Sequence, residues 1–328
     1  MNLVRTMQGR FESVEEFSHS VSQGGWLTNF QQLDCGRGSA EFVIAMSDAT
    51  VLQHVIFDRS VRQVVRPLSG HHNFGILSSP SSVANMGNRP LKLAAINCLH
   101  EEDGFEAVGK PGFTAYTLSF KKSRVAELAH NLGYANPDDD RDIWGSEMLP
   151  APEQLVAIRA KMQQISDFAS SGGLTPEQLP GLQDLLELDL PALVLHSFTQ
   201  ANITKRIPLR NRARALKRAL DYIDAHPREA LTVETLCIES ASSLSTLERA
   251  FRERYAVSPK RFMLLQRLHH VRRALLQQTE SRKIFEIANE YGFWHMSKFA
   301  MDYKKIFGQL PSQTLNSIRF VSNRSYVA

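Results

Sequence analysis

Short apolar runs separated by turn residues fill the first third of the chain. They lie at 42–46, 51–57, 74–77, 91–96 and 115–120, with turn segments such as Asp103-Gly104 between them. Runs of this length and spacing predict the short β-strands of a sandwich or a small barrel. The polar segment that precedes them, residues 1–20, predicts a short helix or an arm.

Helical periodicity replaces this pattern from residue 122 onward. Segment 122–132 stops before Gly133, and segment 152–169 places one apolar stripe at Leu155, Ile158, Met162, Ile165 and Phe168. Segment 185–198 is strongly apolar. We expect these helices to close the core of an N-terminal domain or to pair across a dimer, with residues 202–210 as the linker.

Two helix-turn-helix patterns stand in tandem at 233–252 and 284–303. Leu236 and Leu247 are spaced to pack two short helices together, with Ser243 as an N-cap. In the second unit, Gly292 suits a turn with positive φ. The predicted DNA-facing residues of the two recognition helices are Leu244, Ser245, Glu248, Arg249 and Arg252, then His295, Met296, Ser297, Lys298 and Met301. Arg249 can pair with guanine and Glu248 can accept from cytosine, although Glu248 and Arg252 also suit a surface salt bridge.

A longer amphipathic helix is predicted between the two units, beginning at Ser258-Pro259. Its apolar stripe is predicted to be buried, and it consists of Phe262, Leu265, Leu268, Val271 and Leu275. The basic residues Arg261, Arg267, Arg272 and Arg273 are predicted to stay near the surface, where some of them can meet phosphates.

The charge of the chain is divided between its two parts. Residues 205–328 hold 23 Lys and Arg against 11 Asp and Glu, a net charge of +12, whereas the first 204 residues carry a net charge of −8. A basic C-terminal part favours binding to a polyanion such as DNA.

Other bulk features narrow the class of protein. No run of 18 apolar residues exists, and charges interrupt the N-terminus early, so we predict neither a membrane span nor a signal peptide. The three cysteines form no CxxC pair, which argues against a zinc finger and suits a reducing, cytoplasmic location.

Residues 210–315 resemble the AraC/XylS family of bacterial transcription regulators. The motifs that carry the resemblance are 236–251, Ser258-Pro259, the run 267–275, Ile287-Ala288 with Gly292-Phe293, and 299–311. The resemblance implies an all-α domain of about seven helices that inserts both recognition helices on one face of DNA. By the family pattern, base contacts fall on Leu244, Glu248, Arg249, Met296, Ser297 and Met301.

Two positions depart from that pattern. Ala241 stands in the first turn where glycine is common, which strains or reshapes the turn. Met301 stands where many relatives carry a long polar or basic residue. We therefore expect the second recognition helix to read thymine methyls or DNA shape, and the first to supply more of the hydrogen-bonded specificity.

The family resemblance implies a partner domain that is a cupin-like β-barrel, binds an effector and dimerises. A metal-dependent cupin enzyme is disfavoured, because His71 and His72 are adjacent and point to opposite faces of a strand, and because His54 and His100 lack the needed spacing to a carboxylate. The prediction is therefore no catalytic residue, no metal and no cofactor.

An arginine cluster offers a more specific effector hypothesis. Arg62-x-x-x-Arg66, with Arg59 nearby, resembles the arginine half of the cyclic di-GMP signature of PilZ domains. Guanidinium groups grip phosphates and stack on guanine. Segment 82–87 matches the second half of that signature poorly, so a small metabolite stays open as the alternative effector.

Together these features predict an α+β protein with two domains: residues 1–203 for effector binding and dimerisation, and residues 204–328 for DNA binding. The predicted function is a sequence-specific transcription regulator, an activator working as a homodimer with promoter DNA, a small-molecule effector and RNA polymerase as partners. The alternatives are a cyclic di-GMP-responsive regulator and a metabolite-binding module with secondary DNA contact. Steep loss of affinity with salt would favour a true DNA reader.

Overall fold

A computed structural model of the chain describes residues 4–23, 26–87, 89–139, 143–171, 175, 177–198, 201–204, 211–277 and 282–321. The elements of the N-terminal part are β1 Arg5–Phe11, α1 Val14–Gln23, β2 Leu27–Gln32, β3 Ala40–Met46, β4 Thr50–Phe57, β5 Val61–Arg66, β6 His71–Leu77, β7 Ala84–Met86, β8 Arg89–Pro90, β9 Ile96–Leu99, β10 Phe105–Gly109, β11 Phe113–Lys121, α2 Lys122–Leu132, β12 Glu147–Leu149, α3 Pro152–Ser170, α4 Gln178–Asp184, α5 Leu190–Phe198 and β13 Asn202–Thr204. A 3-10 turn lies at Pro137–Asp139 and a π-helical turn at Leu185–Asp189.

The strands form two antiparallel sheets. The larger sheet has the order β1-β3-β4-β11-β6-β9-β12-β13, and the smaller has the order β2-β5-β10-β7-β8. Among the described residues no edge strand of one sheet pairs with an edge of the other, so the sheets stay open. The predicted α+β class is confirmed, but the β part is a pair of open sheets rather than the closed barrel we expected, because barrel closure requires paired edges.

Two apolar layers hold the N-terminal part together. Helix α1 and the facing sides of the two sheets enclose a core rich in phenylalanine, with Phe17, Phe30, Phe42, Phe57 and Phe113 as members. The opposite face of the larger sheet packs against α2, α3 and the 182–195 segment. The predicted stripe of α3 contributes Leu155, Ile158, Met162 and Ile165 to this second core.

The predicted strands are mostly confirmed, with two differences. Residues 91–95 form a turn that leads into β9, and only Ile96 of the predicted run belongs to that strand. The polar N-terminal segment forms β1 and α1, and β1 pairs with β3 along its whole length. That pairing fixes the strand through backbone hydrogen bonds, which polar side chains do not prevent.

The C-terminal part contains seven described helices: α6 Asn211–Ala225, α7 Val233–Glu239, α8 Leu244–Tyr255, α9 Pro259–Leu276, α10 Ile284–Glu290, α11 Met296–Phe307 and α12 Pro311–Val321. One core unites them around α9 and also receives Leu33 and Val108 from the N-terminal part. The predicted linker falls on β13 and on residues 205–210, which lie outside the described residues. No described helix is both long and apolar enough to cross a membrane.

Candidate nucleic-acid interface

Helices α7 and α8 form the first helix-turn-helix unit. The Thr232 hydroxyl accepts a hydrogen bond from the backbone N–H of Thr235 and so caps α7, and the Ser243 hydroxyl caps α8 by accepting from Thr246. Leu236 and Leu247 are fully buried between the two helices. The caps and the apolar contact fix α8, the first recognition helix, as the sequence predicts.

Helices α10 and α11 form the second unit by the same principle. Ile287 and Ala288 pack against Phe299 and Tyr303, and all four are buried. Helix α11, the second recognition helix, ends at Gly308 with φ of +69°. In both units the apolar positions face α9, which leaves the opposite side of each recognition helix toward solvent.

The turns of the two units use the same left-handed backbone conformation. Gly292 has φ of +76° and Ala241 has φ of +49°. Glycine adopts this conformation freely, whereas a Cβ makes it unfavourable by roughly 1–2 kcal/mol. The strain predicted at Ala241 is therefore present in the first turn.

The predicted contact residues of α8 lie on its solvent side. Leu244 is 54% exposed, and Ser245, Arg249 and Arg252 are exposed, while Glu248 is half-buried. Arg252 forms an ion pair with Glu248 at 3.6 Å, and Arg249 donates to Glu253 at 3.1 Å. Exposed pairs of this kind contribute at most about 1 kcal/mol, so both arginines can exchange their carboxylate for a base edge.

The predicted contact residues of the second unit are also mostly exposed. His295, Ser297 and Lys298 face solvent, and Met301 is 74% exposed. Met296 is half-buried and packs against the C-terminal core, so its side chain is less available than predicted. The buried residues Leu247 and Phe299 are equivalent in the two units, which places Met301 at the position of Arg249.

The sequence interpretation missed Trp294, which is 72% exposed just before the second recognition helix. This tryptophan lies beside the exposed residues of the second recognition helix, so it extends the same solvent-facing surface. The sequence could have indicated this exposure, because Trp294 lies in the turn and outside the apolar repeat of the helix.

Helix α9 supports both recognition helices and also meets the N-terminal part. Its predicted stripe, from Phe262 to Leu275, is buried. Arg272, which we expected near the surface, is 2% exposed. The expectation was wrong because helix α1 of the N-terminal part covers this face and supplies Glu15 as a partner at 3.1 Å from Arg272 Nε.

Glu15 forms the first of two buried polar clusters between the two parts of the chain. Its carboxylate lies 2.5 Å from His269 Nδ1, and His269 Nε2 lies 2.8 Å from the carbonyl oxygen of Gln32. Burial alone raises the pKa of Glu15, but Arg272 and His269 outweigh it and lower that pKa to about 2. Both ring nitrogens of His269 therefore face oxygen atoms that can accept hydrogen bonds.

The second cluster lies at the C-terminal end of the first recognition helix. The Glu106 carboxylate accepts hydrogen bonds from Arg62 and Arg254 at 3.1 Å each and from the Tyr255 hydroxyl at 2.5 Å. Burial disfavours the charge on Glu106, yet the two arginines hold the pKa of its carboxyl below the ordinary value. Asp224 of α6 lies 3.7 Å from Arg62. Strand residues of the N-terminal part thus hold helix α8 directly.

The structure does not bring the three arginines of the dinucleotide hypothesis together. Arg62 is 2% exposed and engaged with Glu106. Arg59 donates to the carbonyl oxygen of Arg37, and Arg66 is exposed at the end of β5. A guanidinium that is buried and already paired cannot bind a phosphate. The positions of the three arginines therefore do not support a cyclic di-GMP site.

The histidines of the rejected metal site are apart as well. His71 and His72 lie on opposite faces of β6, and His72 is buried and stacked on Trp144. His54 stacks on Tyr116, on the helix side of the larger sheet. Across the part of the chain that the structure describes, no group of three or more His, Cys, Asp or Glu side chains could hold a metal ion.

The larger sheet carries a polar row on the face that meets the smaller sheet. The strand register aligns one residue from each of five neighbouring strands into this row. These residues are Gln53, Thr117, Gly75, Asn97 and Glu147. Gln53 alternates with Val55 and Phe57, which belong to the core between the sheets, so the row shares their face. An apolar sandwich core would not need such residues.

The smaller sheet faces this row with hydrogen-bond donors that lack partners. Gln63, between Val61 and Val65 on β5, lies on one transverse row with Arg89, and Ala107 and Met86 stand between them in register. Gln63 Nε2, Arg89 Nη1 and Trp26 Nε1 are buried atoms without a hydrogen-bond partner among the described residues. Buried donors are normally satisfied, so these groups suit a bound molecule.

Comparison with known proteins finds relatives of the C-terminal part of the chain. Residues 236–317 match a family model described as a helix-turn-helix domain. The chain is 33% identical over 103 residues to the probable thc operon regulatory protein of Rhodococcus erythropolis, covering 31% of each chain. It is 25% identical over 213 residues to the XylDLEGF operon transcriptional activator of Pseudomonas putida, covering 56% of this chain and 66% of that protein.

A solved structure described as a probable AraC family transcriptional regulator from Rhodopseudomonas palustris is 29% identical, covers 32% of this chain and 96% of that one, and has a TM-score of 0.30. The chain spans less than two thirds of the length of the curated relatives named above. The C-terminal part contains a helix-turn-helix domain, as its motifs predict, and it is similar to proteins named as transcription regulators, in line with the AraC/XylS resemblance.

Proposed function

We propose that the protein is a sequence-specific DNA-binding transcription regulator and not an enzyme. The observation that carries this proposal is the pair of recognition helices that pack into one apolar core around α9, each with its outward side exposed. Two such helices on one support can read successive turns of the major groove. The Pseudomonas relative is named an activator, and we propose activation as the output here too.

Base recognition is assigned to the exposed residues of the two recognition helices. In α8, Arg249 suits a guanine, and Glu248 suits a cytosine. In α11, Met301 and Ser297 offer one apolar and one small polar contact, which suits thymine methyls and groove shape. The first helix thus supplies most of the hydrogen-bonded specificity.

We further propose that the N-terminal part binds a small-molecule effector between its two sheets. Among the described residues on the facing sides of the two sheets, the unpaired donors of Trp26, Gln63 and Arg89 outnumber the unpaired acceptor Glu147 Oε1. They therefore suit a small ligand that presents mainly hydrogen-bond acceptors. Gln63→Leu is expected to weaken ligand binding and to leave basal DNA binding intact.

Strand β5 links the proposed effector site to the recognition helix. Gln63 faces the space between the sheets, while the neighbouring Arg62 faces the DNA-binding domain and pairs with Glu106, which in turn holds Tyr255 of α8. A ligand that shifts β5 must therefore change the contacts of the first recognition helix. Such control requires that the ligand bind the two arrangements with different affinity.

The test is binding of the purified full chain to its own upstream DNA and to an unrelated duplex, at two salt concentrations. The proposal expects salt-sensitive binding with preference for the upstream duplex, and loss of that preference in Arg249→Ala. Binding that ignores salt and sequence, or that survives both Arg249→Ala and Met301→Ala unchanged, would remove the assignment.

Further parts of the proposal are a homodimer, contact with RNA polymerase and a cytoplasmic location. Light scattering of the free protein and of the DNA complex tests the dimer. Cyclic di-GMP and small metabolites are added to the same DNA titrations. A response to cyclic di-GMP that Arg62→Ala and Arg66→Ala abolish would support the dinucleotide as the effector. Such binding would require Arg62 to leave its ion pair with Glu106.

A further inference from the structure

A basic groove lies between the start of α9 and the start of the second recognition helix. One wall is the first two turns of α9, which begins three residues after α8 ends, and the other is the turn before α11 together with its first turns. The volume of the groove is about 420 Å³. Its lining includes Lys260, Arg261, Arg267, Trp294, Lys298 and Asp302.

The groove carries a net positive charge. Four of those side chains are basic and one is acidic. Among the described residues, Lys260, Arg267 and Lys298 form no ion pair, in contrast to Arg249 and Arg252 on the first recognition helix. Arg261 contacts the Cys35 thiol, which carries no opposing charge in its neutral form.

Arg267 is held in place at the base of the groove. Its guanidinium lies 4.9 Å from the ring centre of Phe293 and donates to the carbonyl oxygen of Gly292 at 3.5 Å. Burial lowers the pKa of this guanidinium below its ordinary value. A half-buried cation without a carboxylate suits an external anion.

The position of the groove indicates which anion it meets. When two recognition helices enter successive major-groove segments, the sugar–phosphate backbone between those segments must cross the protein between the helices. The groove borders the start of the second recognition helix and the first turns of α9, the helix that follows the first recognition helix in the chain, and Trp294 stands exposed on its rim. Phosphates supply the charge, and a tryptophan face can pack on the adjoining sugar.

We propose that the basic groove binds the DNA phosphates that lie between the two major-groove segments, with Lys260, Arg267 and Lys298 as the cations and Trp294 packed on the backbone. This inference rests on the proposed function, adds Lys260 and Arg267 of α9 to the DNA contacts, and assigns the exposed Lys298 of the second recognition helix to a phosphate and not to a base. Phosphate contacts position the protein and carry no sequence information of their own.

The test uses the full chain with Lys260→Gln and Lys298→Gln combined, and Lys217→Gln as a matched control. Lys217 lies on α6 of the same domain, is exposed and is absent from the groove lining. The dissociation constant for a duplex is measured at several salt concentrations. Each lost phosphate contact lowers the slope of log Kd against log salt by about 0.9, so the double variant should lose about 1.8 and the control nothing.

Specificity and fluorescence separate this groove from the base-reading surface. The double variant should weaken binding to the upstream and to the unrelated duplex by the same factor. Addition of DNA should change the tryptophan emission of the wild type, and Trp294→Phe should abolish most of that change, since Trp26 and Trp144 are not exposed.

Two results would overturn the inference, and they differ. A wild type that shows no salt-sensitive binding to any duplex overturns the proposed function and the groove together. A wild type that binds with normal salt sensitivity, while the folded double variant keeps the same slope, overturns the groove alone.

Discussion

The buried carboxylate of Glu15 provides the sharpest test of how the two parts of the chain are held together. Glu15→Gln keeps the shape of the side chain and removes the charge that His269 and Arg272 share. Removing one partner of a buried ionic cluster costs roughly 3–5 kcal/mol, because the remaining charges stay buried without compensation. A pKa lowered from 4.5 to about 2 corresponds to about 3 kcal/mol by linkage, so the two figures agree.

The sign of the pH dependence follows from the same pKa. The folded pKa of Glu15 lies below its unfolded value, so its contribution is complete above about pH 5 and is lost as the pH falls from about 4.5 to 2. The other charged or titratable groups near this carboxyl are Glu16, Arg273 and Tyr303. Burial raises the pKa of Glu16, so its charge does not stabilise the fold and Glu16→Gln is the matched control.

The assay is urea unfolding of the full chain, wild type and both variants, at pH 7 and at steps down to pH 3. Glu15→Gln should lose about 3 kcal/mol at pH 7 and show a flatter decline with acid, whereas Glu16→Gln should stay within about 0.5 kcal/mol of the wild type. If Glu15→Gln loses less than about 1 kcal/mol and keeps the acid sensitivity of the wild type, the buried cluster does not stabilise the chain as argued.

Three further predictions follow from single contacts. Arg249→Ala should weaken operator binding by about 1–3 kcal/mol and relax preference at one base pair, measured by titration of duplexes changed one pair at a time; equal losses on all duplexes would contradict base contact. Gly292→Ala should destabilise by roughly 1–2 kcal/mol, whereas Ala241→Gly should stabilise by up to about 1 kcal/mol, both read from thermal unfolding; the same sign for both would refute the strain argument. Gly308→Ala places a Cβ 2.7 Å from the backbone nitrogen of Arg37, so it should loosen the contact between domains, and unchanged hydrogen exchange of segment 34–37 would count against it.

The helices of the DNA-binding domain were predictable because their signals are local. Caps such as Ser243, the turn glycine Gly292 and the apolar repeat of α9 act within a few residues of one another, so the sequence states them directly. The exposure of Met301 and Arg249 follows from the same repeat. Most strands of the larger sheet were predictable for a similar reason, the alternation and length of their apolar runs.

Other features depend on residues that are far apart in sequence. Arg62 and Arg66 share one strand, but only the packing of α6 and α8 against β5 buries Arg62. Arg272 belongs to an amphipathic helix whose polar side is covered by α1, about 250 residues earlier in the chain. The residues near Arg272 do not indicate that this side is buried. The sequence also did not show that the two sheets remain open, because strand propensity does not specify which strand edges pair.

The sequence by itself thus determined the helix-turn-helix units, the exposed side of the second helix in each unit and the basic character of the C-terminal part, since periodicity, caps and charge are properties of short segments. Only the tertiary structure decided which arginines are free and which are buried, and placed Gln63 and Glu106 on the path between the sheets and the first recognition helix. The physical reason is that burial and ion pairing depend on surfaces brought together from distant segments, and a side chain's chemistry changes with the surface that covers it.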